Sequence, residues 1–145
     1  MRVIRTWASN YGPFEQIDWE IPDGLTVITG RIADGDGVDS NGAGKSKLLE
    51  LIPLVLFGPT MSWSDYLTIG CSEPCEVGIE FEQRNEHYRV RRIFDPGGRG
   101  KSTLDLERAE LQDLFGVPEA PALTWAPLTQ ERQSETQLLI EQTLG

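Results

Sequence analysis

A chain of 145 residues fits one domain and can bury roughly two thirds of the surface its unfolded form exposes, so a single core is expected. Its 39% hydrophobic and 25% charged content is ordinary globular usage, and no apolar run is long enough to cross a bilayer. With 13 basic against 23 acidic residues, most of the surface repels polyanions, which confines any nucleic-acid contact to a local patch. Two cysteines, Cys71 and Cys75, with one histidine, His87, fall short of the four ligands of a structural zinc site, and the cysteines read as reduced thiols near a strand. Met1 to Trp7 alternates and does not present an apolar block before a small-residue cleavage site, so a cytoplasmic location is the expectation.

In chain order, Arg2 to Trp7 pairs with Phe14 to Ile21, where Ile17, Trp19 and Ile21 alternate with Gln16, Asp18 and Glu20 as in a half-buried antiparallel strand. After the turn Pro22-Asp23-Gly24, the apolar and β-branched run Leu25 to Thr29 predicts a strand buried on both faces. A helix is expected from Gly44 onward, kinked at Pro53 and stopped by Gly58-Pro59. Val77, Ile79 and Phe81 alternate with glutamates and pair in a hairpin with Tyr88 to Phe94, and Ser102 to Glu107 reads as a third strand of that meander. Leu111, Leu114 and Phe115 suggest a short helix ended by Gly116. Pro118 to Pro127 reads as loop with at most a short strand. Ser134 with Gln137 three places on has capping-box spacing and should open a final helix that runs to the end of the chain.

Asn41-Gly42-Ala43-Gly44-Lys45-Ser46 carries the parts of a phosphate-binding loop. Backbone N–H groups and a helix N-terminus surround phosphates, a lysine neutralises charge and a hydroxyl holds Mg²⁺. The pattern GxxxxGK[ST] is incomplete, because Asp39 stands where its first glycine belongs. The alternative is a plain glycine-rich connection between strand and helix. A second tripeptide, Gly100-Lys101-Ser102, lies between two strand patterns with no apolar helix after it and reads as a hairpin turn.

On these residues the chain resembles the N-terminal ATPase lobe of the SbcC-type family, SMC-like ATPases of the ABC class. Asn10-Tyr11-Gly12-Pro13-Phe14 resembles the family's opening segment, and Asp23 to Gly30 the strand before its phosphate loop. The family's loop reads G-x-N-G-x-G-K-S, so the resemblance makes Gly30 the first glycine and Asn41 the asparagine. Residues Arg31 to Ser40 then form an insertion, expected to bulge into solvent. The resemblance implies an α/β P-loop fold of the ABC/SMC head type, with mixed and antiparallel strands around a P-loop helix. It further implies ATP and Mg²⁺ held by Gly30, Asn41, Gly42, Ala43, Gly44, Lys45 and Ser46. A Q-loop glutamine would reach the metal and the attacking water, with Gln130 the candidate, Gln133 the reserve, and a solvent-facing glutamine the alternative. The family's signature motif, Walker B acids and switch histidine belong to a C-terminal lobe beyond a coiled coil. Neither is found here, so a fragment, a truncated product or half of a split protein is expected.

The function implied is the ATP-binding half of an ATPase in DNA double-strand break repair or recombination. It would be completed by a C-terminal lobe or a second copy and work with an SbcD-type nuclease. The alternatives are a non-catalytic interaction module that has lost nucleotide binding and, less in keeping with the absent Walker B acid, a small-molecule kinase. Arg89, Arg91, Arg92, Arg99 and Lys101 form the densest basic cluster and are the candidate DNA contacts, against the alternative of a solvated hairpin.

Overall fold

The computed structural model describes residues 1–30, 44–97, 101–111 and 123–145. Six antiparallel strands form one sheet in the order β2-β1-β3-β4-β5-β6. They are β1 (Arg2–Tyr11), β2 (Phe14–Glu20), β3 (Cys75–Gln83), β4 (Glu86–Asp95), β5 (Lys101–Leu111) and β6 (Leu123–Pro127). Two helices, α1 (Lys45–Phe57) and α2 (Gln133–Leu144), pack on the sheet and against each other.

The β3–β4 hairpin turns on Arg84 and Asn85, whose φ values of 53° and 63° suit a two-residue turn that follows the twist of the strands. Alternation then sets the faces. Val77, Ile79 and Phe81 of β3, Tyr88 and Val90 of β4, and Leu104 and Leu106 of β5 face inward and are buried. Leu51, Leu54, Val55 and Leu56 of α1 and Ile140 of α2 complete the core from above. Each such side chain contributes about 1.5–3 kcal/mol on leaving water. Gly58 ends α1 at φ 89°, with its N–H returning to the Leu54 carbonyl at 2.9 Å. Pro53 lies inside α1, where it has no N–H to give the ladder.

The opposite face of the sheet is polar. Trp7 lies flat over Gly78, held by its Nε1–H donating to Glu76 at 3.0 Å and by the Arg5 guanidinium 5.6 Å from its ring. A Cβ on Gly78 would lie 2.0 Å from the indole. Gly78→Ala is therefore expected to cost about 1–3 kcal/mol in urea denaturation, much of it recovered in the Trp7→Ala, Gly78→Ala double variant.

Several expectations are corrected. Leu25 to Thr29 forms no strand, and Leu25 and Val27 are 97% and 77% exposed. Without a neighbouring strand the segment has no ladder to join, whatever its β-propensity. The parallel component expected of a mixed sheet is accordingly not seen among the described residues. Leu111 ends β5 and is not helical; the rest of that proposed helix, through Gly116, lies outside the described residues. α2 begins at Gln133 with Arg132 as its N-cap and no side-chain cap, so the Ser134–Gln137 capping box does not form. Gln137 is engaged elsewhere.

Candidate nucleotide site

Gly44, Lys45 and Ser46 come together at the start of α1. Gly44 has φ 81°, a left-handed conformation, and a Cβ there would lie 2.7 Å from Pro13 and 2.8 Å from Phe14. Both the backbone and the close approach of the β1–β2 turn demand glycine. Its carbonyl accepts the Leu48 N–H at 2.9 Å, beginning the helix. No side-chain cap hydrogen bond occupies this end and no acidic residue lies in the first turn. The first turn of α1 thus brings no acid of its own to the positive end of the helix dipole, an end that suits an anion. Lys45 is half-buried and Ser46 exposed. Gly30 lies in a stretch without regular secondary structure. Asn41, Gly42, Ala43 and the insertion Arg31 to Ser40 lie outside the described residues.

Sequence reasoning passed over Lys47, which braces this end from below. Its ammonium sits 4.8 Å from the Tyr66 ring centroid and 5.9 Å from that of Tyr11, and it pairs with Glu50 at 2.8 Å. Tyr11 donates its hydroxyl to the Lys47 carbonyl at 3.1 Å, and burial pushes that phenol well above its ordinary range. The signal was the pairing of Tyr11 with a lysine one turn into the helix, legible only once the β1–β2 turn is known to meet α1.

Gln130 is exposed and spends its side chain locally, donating Nε2–H to the Leu128 carbonyl at 2.8 Å. Its backbone N–H donates to the buried hydroxyl of Thr136 at 2.9 Å. Gln133 turns toward β5, where it donates to the Ser102 carbonyl.

The basic cluster does not survive as one surface. Arg89 and Arg91 do share the outer face, but each is matched by an acid on β5, Glu107 at 2.6 Å and Asp105 at 3.0 Å, and Arg89 lies 4.4 Å over Trp125. Arg92 points the other way and is buried, donating Nε–H to the Val55 carbonyl at 2.7 Å. Burial pulls its guanidinium down to about 10, still charged at neutral pH. Lys101 is exposed at the start of β5, its partner across the ladder being Asp95, and Arg99 lies outside the described residues. The groove of about 460 Å³ on the outer face is lined by Arg5, Arg89 and Arg91 but also by Asp18, Glu76, Glu80 and Glu107, a balance that does not favour phosphate.

Among the described residues no cluster of three His, Cys, Asp or Glu could hold a metal ion. Cys75 is buried, its thiol pushed up to about 12, and Cys71 is partly exposed; neither is in a disulfide. No helix among the described residues is long and apolar enough to cross a membrane.

Helix α1, with Gly44-Lys45-Ser46 at its start and packed on a six-stranded antiparallel sheet, defines an α/β domain with an anion-receptive helix end. A family model described as AAA domain matches residues 8–143, and the chain belongs to that family. It is 31% identical over 126 residues to the DNA double-strand break repair Rad50 ATPase of Halobacterium salinarum, covering 84% of this chain and 13% of that protein. It is 26% identical over 98 residues to the Rad50 ATPases of Methanosarcina acetivorans and Methanosarcina mazei, covering 65% of this chain and 8% of each of them. The SbcC-type, SMC-like resemblance is thus borne out over most of the chain, while the chain spans only a small part of the length of these relatives.

Proposed function

We propose that this chain is the N-terminal, ATP-binding lobe of a Rad50-like, SbcC-type ATPase. The observation that carries this reading is the start of α1, where Gly44 in the left-handed conformation is followed directly by Lys45 and Ser46 with no acid in the first turn. The residues fit the group. Lys45 and the first N–H groups of α1 would hold the phosphates, with Gly30, Asn41, Gly42 and Ala43 completing the loop. Ser46 would take Mg²⁺, whose chemistry is to neutralise charge on the phosphates. Gln130 would join that metal and the attacking water once a C-terminal lobe or a second copy closes the site.

Exposed apolar positions are in keeping with a surface that a second lobe would cover. Leu49 and Phe57 on α1 are 53% and 61% exposed, alongside the bare Leu25 and Val27. The relatives' names suggest a role in DNA double-strand break repair, and the wider reading adds coupling to an SbcD-type nuclease in the cytoplasm. The pairing of Arg89 with Glu107 and of Arg91 with Asp105 argues against DNA contact through these two arginines alone. The second reading, an interaction module without nucleotide, rests on the interrupted loop.

Ser46→Ala is the specific test. It is expected to remove the Mg²⁺ dependence of ATP affinity while leaving metal-free binding in place. Unchanged Mg²⁺ dependence in the variant would remove Ser46 from the metal site.

A further inference from the structure

Three successive carbonyls at the C-terminal end of α1 are each taken by a donor from a different part of the fold. Leu54 accepts from the Gly58 N–H at 2.9 Å, Val55 from Arg92 Nε at 2.7 Å, and Leu56 from Gln137 Nε2 at 3.0 Å. Arg92 also donates to the Gln137 side-chain oxygen, so the residues from β4 and α2 are joined to each other as well as to α1. α1 has no basic residue in its own last turn, and the acceptors of Arg92 are neutral. Its counter-charge is the negative end of the helix.

The neighbour of Gln137 on α2 is Thr136, fully buried, whose hydroxyl accepts the Gln130 N–H at 2.9 Å. Two sets of hydrogen bonds, one joining the end of α1 to Arg92 and Gln137 and the other joining Thr136 to the backbone of Gln130, are therefore linked through the α2 backbone between Gln137 and Thr136.

We infer that Arg92 is a positioning residue: it fixes α2 against the end of the helix that begins at Lys45, and through Thr136 it fixes where Gln130 is held. The inference takes its functional meaning from the reading of Gln130 above. The linkage itself is measurable without nucleotide.

Amide hydrogen exchange followed by NMR on the whole chain, without nucleotide, tests it in wild type, Arg92→Lys and Gln137→Ala. Lysine keeps the charge but cannot fork to both acceptors. The expected result is exchange about tenfold faster at the Gln130 and Gly58 amides in both variants, with the central amides of Ile79 and Val90 unchanged. Wild-type protection of the Gln130 amide in both variants would overturn the inference, and so would a uniform rise that includes Ile79 and Val90. Gln137→Ala changes a partly exposed side chain and carries the test if Arg92→Lys does not fold. A parallel ATP titration separates the two ideas, since a wild-type chain that binds no ATP sinks the nucleotide reading and leaves the exchange result standing.

Discussion

Phosphate release from ATP by the pure chain is expected to stay orders of magnitude below that of the same chain supplied with a matching C-terminal lobe. Hydrolysis needs a group that orients the attacking water, a metal held from more than one side, and donors set against the developing charge. The chain offers Lys45, Ser46 and Gln130. Gln130, however, is exposed and bonded to Leu128, and among the described residues no group of three His, Cys, Asp or Glu could hold a metal. Robust turnover by the chain alone, abolished by Lys45→Ala, would mean that a catalytic acid is already present and would end the half-site reading.

The second large effect is on stability. Arg92→Ala is expected to cost about 3 kcal/mol in equilibrium urea denaturation, because it strips a charged donor from the buried Val55 carbonyl and from Gln137 together. Gln137→Ala should cost less, about 1 kcal/mol, since Arg92 keeps its bond to α1. A loss within 0.5 kcal/mol for Arg92→Ala would show that water replaces the guanidinium at the end of α1.

Much of the sheet was legible, because alternation in Phe14 to Ile21, Val77 to Phe81 and Tyr88 to Phe94 reports a half-buried strand directly. Arg92 shows how charge can mislead where period does not. It was grouped with Arg89 and Arg91 by composition, yet it shares the parity of Tyr88, Val90 and Phe94, which the structure buries. Leu25 to Thr29 failed for the opposite reason, since its composition is that of an inner strand but nothing in the described residues pairs with it. Gln137 had the spacing of a capping box, and the buried guanidinium outbid the helix start for its amide. At the site, the pair Lys45-Ser46 and the turn at Gly44 could be read in the chain. The brace of Lys47 between two tyrosines could not, because it depends on segments far apart in sequence.

Binding of labelled ATP with Mg²⁺ to the whole chain and to Lys45→Ala tests the central claim most directly. Saturable binding by the wild-type chain that is lost in the variant is the result expected if phosphates need the lysine charge and the start of α1 together. Equal binding by both, or none by the wild-type chain, would contradict it.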